Sequence, residues 1–267
     1  MLYRGIALSV AASDSGGGAG IQADLKTFQA LKVFGMNVVV GLTAQNSLSV
    51  TGIHDTPQQM IALQFDALFS DFEIPAAKTG MLHCPDTIIT VAEHFKKHHV
   101  KQIVVDPVMI AQSGSQLISD GAVNTLLNEL IPLATLVTPN APEAATLTGQ
   151  RVESVAEMKQ AALAIAAHGC NAVLIKGGHL THQQKVCDLL YLDGEFTLFE
   201  DEWINTQNTH GTGCTLSAAI TAELAAGRDL KQAVHFARRY LRLALQHAFK
   251  PGHSHGPLGH AVDVPWL

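Results

Sequence analysis

Residues 5–47, "GIALSVAASDSGGGAGIQADLKTFQALKVFGMNVVVGLTAQNS", set out strand, glycine loop, helix and strand in that order. "GIALSVAA" (5–12) is a short apolar run ended by Asp14 and a glycine cluster, which reads as a buried strand and its loop. "GIQADLKTFQALKVFG" (20–35) has helical spacing, and "NVVVGLTA" (37–44) is a second buried strand. A helix between two strands predicts a parallel pair with a crossover.

The same alternation continues along the chain. "KQIVVDPVM" (101–109), "ATLVTPN" (134–140) and "NAVLIKGG" (171–178) read as strands, with helices over 56–71, 85–99, 121–134 and 154–169. Such a series predicts a mostly parallel central sheet with helices on both faces. "VCDLLYLDGEFTLFEDEWI" (186–204) alternates instead, and its Asp193–Gly194 marks a hairpin turn, so an antiparallel edge is expected there. Helices over 214–227 and 230–249 follow, and a Gly/Pro-rich tail is expected to close the fold. No repeat, linker or domain boundary stands out across the 267 residues, and one domain spanning 1–267 is expected.

The composition excludes several classes. Hydrophobic residues at 47% against 15% charged support a full core rather than a disordered chain. A net charge of −6 argues against nucleic acid as a partner. The apolar start is too short for a membrane span, and no later run is long enough, so no membrane partner is expected. Four cysteines without a C-x-x-C pair fit a reduced, cytoplasmic protein. Fourteen histidines include no H-E-x-x-H, and no histidine metal site is expected.

In open parallel sheets ligands sit beyond the carboxyl ends of the strands, and the candidate residues cluster there. In "NTQNTHGTGCTLSAAI" (205–220), Gly211, Thr212 and Gly213 lead into a helix at Cys214. Glycines allow backbone amides to approach a ligand, and a helix start favours anions, phosphate above all; a plain helix-starting turn is the alternative. The segment lacks the G-x-x-x-x-G-K-[ST] pattern. Lys176 leaves an apolar strand at Gly177–Gly178, and either a phosphate or a salt bridge would offset its burial. Asp106 and Glu143 follow strands and could hold magnesium through water, or cap a helix, or pair with a lysine. Asn140 could bind phosphate or make the turn before Pro142. Asp24 could bond an amine or favour the helix dipole. The N-terminal glycines fit G-x-G-x-x-G/A loosely, but Gln45 and Asn46 stand where a nicotinamide site wants an acid. These parts fit phosphoryl transfer, which depends on positioned charge more than on covalent steps.

"NTHGTGC", "VLIKGGH", "VTPNAPEA", "VVDPVM" and the N-terminal stretch, in this order, resemble the ribokinase superfamily. Within it the resemblance is to the hydroxymethylpyrimidine/phosphomethylpyrimidine kinases of thiamine synthesis, from Ile6 to about Phe249. It implies a three-layer α/β/α ribokinase-like fold, a cytoplasmic homodimer, and ATP with Mg²⁺, with a monovalent-cation requirement left open. It implies two transfers, to the hydroxymethylpyrimidine alcohol and then to its monophosphate. It implies an anion hole at Gly211, Thr212 and Gly213 with the catalytic position at Cys214. Lys176, Asn140 and Thr209 become ATP contacts, and Asp106 and Glu143 the metal-side acids. Asp24, Gln45 and Ala19 would bind the aminopyrimidine, with Met81 and Val108 packed on its ring. A lid over "SGSQL" (113–117) is a further expectation.

Sugar and nucleoside kinases of the superfamily end the glycine motif with aspartate, where this chain has Cys214. A fixed carboxylate would repel a phosphorylated acceptor at short range, whereas a neutral thiol would not. The helix start is expected to lower the thiol's proton affinity. The alternatives are a pyridoxal kinase of the same fold, a nucleotide-sensing regulator without activity, and a nicotinamide-dependent oxidoreductase.

Overall fold

The computed structural model describes residues 3–111, 114–178 and 185–267. Among them are nine strands: β1 (Ile6–Asp14), β2 (Phe34–Gln45), β3 (Val50–Asp55), β4 (Ala76–Thr79), β5 (Gln102–Val105), β6 (Leu136–Val137), β7 (Ala172–Lys176), β8 (Lys185–Leu192) and β9 (Glu195–Glu202). They form one sheet in the order β3-β2-β1-β4-β5-β6-β7-β8-β9. The run from β2 to β7 is parallel, β8 and β9 pair antiparallel beyond β7, and β3 pairs antiparallel with β2. The sheet therefore has antiparallel pairing at both edges, one more than the sequence suggested. At the β8–β9 hairpin, Asp193 (φ 52°) and Gly194 (φ 81°) both take the left-handed conformation, as a tight two-residue turn with the sheet's twist requires.

The helices are α1 (Gly20–Ala30), α2 (Gln58–Phe69), α3 (Pro85–Lys97), α4 (Ala122–Thr125), α5 (Ala141–Thr148), α6 (Val155–Ala166), α7 (Thr212–Ala225) and α8 (Leu230–Gln246). Sheet residues divide by alternation between two cores. Leu8, Val10, Ala77, Val105 and Ile175 face the side of α2, α3, α5 and α6. Ala7, Ala76, Val104 and Leu174 face α1, α7 and α8, with Phe28 and Tyr240 fully buried among them. Truncating Phe28 to alanine would cost about 3–5 kcal/mol, because the cavity left behind adds to the lost transfer energy.

Sequence and structure part company in four elements. The stretch 121–134 continues from α4 as a π turn (Leu126–Leu130) and then a 3-10 turn (Ile131–Leu133), since Pro132 cannot continue a regular helix. α5 is a short helix not apparent in the sequence, with Pro142 in its first turn and a reciprocal Asn140–Glu143 cap. β3 and β4 were equally hidden: β3 is short and largely exposed, and β4 carries a lysine. The tail closes the fold as expected, with Val262, Val264 and Trp266 packed against the α1/α7/α8 core. Of the expected lid, Ser113 lies outside the described residues, and Leu117 N–H bonds Met109 C=O at 2.8 Å. No helix among the described residues is long and apolar enough to cross a membrane.

Candidate active site

The carboxyl ends of β1, β2, β4, β5, β6 and β7 open onto a cavity of about 250 Å³ that also takes in the start of α7. One wall is the α7 turn, with Thr209, Gly211, Thr212, Gly213 and Cys214 on the cavity. Gly211 has φ 83°, and a Cβ there would collide with the Gly18 carbonyl, so only glycine brings the two loops together. Thr215 N–H closes the first turn onto Gly211 C=O at 2.9 Å, and no side chain caps the helix. An uncapped, glycine-built helix start facing a cavity is an anion site in waiting.

Opposite lies the charged group. Lys176 Nζ donates to Asp106 Oδ1 at 3.0 Å and lies 3.9 Å from Glu143 Oε2. Asp106 also accepts from Ser217 Oγ of α7 at 3.2 Å and Thr138 Oγ1 at 3.3 Å. A Cβ on Gly213 would lie 3.3 Å from Lys176 Nζ, so the ammonium and the glycine turn face each other directly. Burial works against the charge of Asp106, but Lys176, Lys78 and the bonds from Lys176 and Ser217 hold its carboxyl below the ordinary range. Burial pushes Glu143 up to about 7, with Lys176 pulling it down and Asp106 pushing it further up. Glu143 Oε2 accepts the Asn140 N–H at 2.7 Å while Asn140 Oδ1 accepts the Glu143 N–H at 2.8 Å. The capping alternative for this acid is thus realised, and the same carboxylate still lines the cavity.

The third part is the N-terminal loop. Asp14, at the end of β1, accepts from the N–H groups of Gly16 (2.8 Å), Gly18 (3.0 Å) and Ala19 (2.8 Å). His210 Nε2 lies 2.9 Å from Asp14 Oδ2 and 3.4 Å from Gln45 Nε2, tying the glycine loop to the α7 turn. Burial opposes the Asp14 charge, yet the His210 and backbone bonds keep its carboxyl below the ordinary range. Ala19, Gln45, Met81 and Val108 add a partly apolar recess to the cavity that Cys214 also lines. Neither Asp14 nor His210 was singled out from sequence. The only local hint was an aspartate directly before a glycine-rich turn.

Thirteen of the fourteen residues picked from sequence line this one cavity; Asp24 does not. Its carboxylate is completely buried, with Oδ1 bonded to Lys78 Nζ at 2.9 Å and Oδ2 to Ser9 Oγ at 2.6 Å. Both oxygens are engaged by the protein, so the expectation that Asp24 meets the pyrimidine is corrected. It is the fifth residue of α1 and lies outside the first turn, so the helix-dipole alternative fails as well. The expected lowering of the Cys214 thiol is also reversed. Burial pushes it up to about 12, against the pull of Lys78 and the Gly20 N–H, while Asp24 and Asp106 add to the rise. Desolvation at the helix start outweighs the favourable dipole.

Comparison with known proteins agrees with this geometry. The model of the family "Phosphomethylpyrimidine kinase" matches residues 14–259. The hydroxymethylpyrimidine/phosphomethylpyrimidine kinase of Bacillus subtilis is 44% identical over 95% of this chain and 94% of its own length. The thiamine biosynthesis bifunctional protein ThiED of Geobacter sulfurreducens is 46% identical over 97% of this chain, which spans only 53% of that longer relative. Among solved structures, an ADP complex of Bacillus subtilis pyridoxal kinase superposes with a TM-score of 0.90 at 37% identity, covering 98% of both chains. A glycine-built helix start facing a half-buried lysine, at the carboxyl end of a parallel sheet of this topology, accompanies a family match over nearly the whole sequence: the chain belongs to the phosphomethylpyrimidine kinase family.

Proposed function

We propose that the chain transfers the γ-phosphoryl group of ATP to 4-amino-5-hydroxymethyl-2-methylpyrimidine and then to the resulting monophosphate. The observation that carries this reading is the shared cavity: the uncapped α7 turn, Lys176 and the recess of Ala19, Gln45, Met81 and Val108 all open onto it. The acceptor ring sits in the recess, with Gln45 offering both a donor and an acceptor. The triphosphate lies toward Asn140, Lys176 and Thr209. The acceptor oxygen forms the new bond to the γ-phosphorus as the bond to ADP breaks, and the alcohol's proton passes to solvent. Charge spreads over the equatorial oxygens, where the amides of Gly213 and Cys214 and the Lys176 ammonium stabilise it; the Thr212 amide of the expected Gly211–Gly213 hole already donates to Thr209 C=O at 3.2 Å.

Cys214 acts as a neutral thiol. With its proton affinity pushed up to about 12, it carries no charge at neutral pH and does not repel a phosphorylated acceptor. A base is of little use when the transition state is loose and the second acceptor is already anionic. Asp106 and Glu143 suit Mg²⁺, which keeps much of its water and takes one or two carboxylates together with phosphate oxygens. Magnesium there would neutralise charge on the triphosphate.

The same reading takes residues 1–267 as one kinase domain, working in the cytoplasm as a homodimer, which a mass measurement in solution tests. The pyridoxal kinase similarity favours a second reading, phosphorylation of pyridoxal at its own hydroxymethyl group. Product-resolved ATP turnover on the two pyrimidines and pyridoxal separates them. Sequential mono- and diphosphate formation is expected, and activity on pyridoxal alone would overturn the assignment.

A further inference from the structure

Alternation along the strands puts Ser9, Lys78, Asp106 and Lys176 on one face of the sheet. The residues two positions earlier, Ala7, Ala76, Val104 and Leu174, all belong to the core beneath α1, α7 and α8. Four polar side chains thus form a floor under the two helices that start at the cavity, α1 at Gly20 and α7 at Thr212. Lys176 and Asp106 meet the cavity, whereas Lys78 and its partner Asp24 are sealed below it, each side chain fully buried.

A sealed ion pair is a poor stability device, since apolar residues of similar volume commonly serve as well or better. Its placement is the informative feature. A Cβ added to Gly80 would lie 3.4 Å from Lys78 Nζ, so the ammonium reaches up to the level where the chain leaves β4 for Met81, a cavity wall. Gly20, the start of the helix that carries Asp24, lines the cavity with Cys214, and its N–H favours negative charge on the thiol. Among the charges acting on Cys214, Lys78 does most to favour negative charge there. Burial works against the Lys78 ammonium, but the surrounding acidic groups, Asp24 first among them, together raise its proton affinity, while burial pushes the Asp24 carboxyl up as well.

Building on the kinase reading, we propose that Lys78 is a positioning residue: its sealed ammonium gives the floor under Cys214 a fixed positive potential that holds a phosphorylated acceptor for the second transfer. Lys176 cannot serve this purpose alone, because Asp106 and Glu143 share its charge and the triphosphate competes for it. Lys78 shares its charge with Asp24, but at Cys214 it outweighs that partner, it lies sealed from the triphosphate, and burial limits screening by solvent ions.

The test uses two variants, Lys78→Met and the apolar pair Lys78→Met with Asp24→Leu, the second removing both charges so that neither is left unpaired. Two readouts are taken. kcat/KM is measured separately on the alcohol and on the monophosphate. Alkylation of Cys214 by anionic iodoacetate and by neutral iodoacetamide is followed by mass spectrometry of its peptide, a readout independent of catalysis. The expected result is a loss on the monophosphate at least about tenfold greater than on the alcohol. The iodoacetate-to-iodoacetamide rate ratio at Cys214 should fall at least about threefold. A folded variant that keeps the wild-type ratio, or loses both transfers equally, overturns the proposal. So does failure of both variants to fold, which would make the pair structural. If the wild-type protein phosphorylates neither pyrimidine while the variants still show the lower ratio, the kinase reading fails and the charge assignment to Lys78 stands.

Discussion

Lys78 and Lys176 point to the same face of the sheet, each within 3.0 Å of an aspartate, yet one is sealed and the other meets the cavity. The difference is strand depth: followed through the pairings of β4, β5, β6 and β7, Lys78 stands level with Ala172, four residues before Lys176. Lys176 is the last residue of β7, with two glycines after it, while Lys78 stands one residue before the end of β4. A strand advances about 3.3 Å per residue, enough to place one ammonium among ligands and the other beneath them. The same chemical pair therefore serves as a contact in one place and as a source of fixed field in the other.

Removing the member that meets the cavity should have the largest effect. Lys176→Met is expected to lower kcat for both transfers on the order of 10²–10³-fold, the cost of losing a main transition-state donor. The fold should survive, because Asp106 keeps its bonds from Ser217 and Thr138. Steady-state assays on each acceptor check this, and a loss confined to KM for ATP would reduce Lys176 to a ground-state contact.

Next in size is Cys214→Asp, which puts a carboxylate on the cavity at the start of α7. The monophosphate transfer should suffer at least about tenfold more than the alcohol transfer, from like charge at short range. Equal losses would show that the neutrality of the thiol is not what matters at this position. A phosphorylated Cys214 trapped by mass spectrometry would replace direct transfer with a covalent route.

A smaller effect belongs to the loop joining the two regions. Asp14→Ala removes an acceptor that holds three N–H groups and His210. KM for the pyrimidine should rise about tenfold, in line with the loss of one or two charge-assisted hydrogen bonds from a recess wall. Alkylation of wild-type Cys214 by iodoacetamide, followed against pH, should rise without levelling off below pH 10, given a thiol pushed up to about 12. An inflection between pH 7 and 9 would show a thiolate and contradict the neutral-thiol reading.

The smallest effect concerns stability. His260 is buried beside α7, bonded to Thr215 Oγ1 at 2.9 Å, and burial pushes its proton affinity down to about 4. A histidine held neutral in the fold stabilises it above its ordinary value near 6.5. That contribution is lost as pH falls from about 6.5 through 4, up to about 3 kcal/mol. Chemical denaturation at stepped pH should show this decline in the wild type and a flatter profile in His260→Gln.

The site was more legible than the elements that carry it. Strand ends marked by Gly, Pro or Asp gave Asp106, Asn140, Lys176 and the Gly211–Gly213 turn, because such residues stop a buried apolar run at the ligand end of a parallel sheet. β4 escaped notice because "AAKT" places a charge inside a core strand, and a lysine there looks like a loop until its aspartate partner, 54 residues away, is known. Asp24 was misassigned for the same reason: its burial is decided by Lys78, not by its neighbours in α1. The Asp14–His210 contact spans 196 residues and leaves no local trace. The thiol was misjudged because a helix start is visible in sequence and desolvation is not.

The most direct test of the shared cavity is a crystal structure with ADP, aluminium fluoride and hydroxymethylpyrimidine. The expected result is the fluoride group within hydrogen-bond reach of the Gly213 and Cys214 amides and Lys176 Nζ, with the pyrimidine's hydroxymethyl oxygen in line beside the Cys214 thiol. A phosphoryl mimic seated at the Gly16–Gly18 loop, with the α7 start turned away from it, would contradict the assignment.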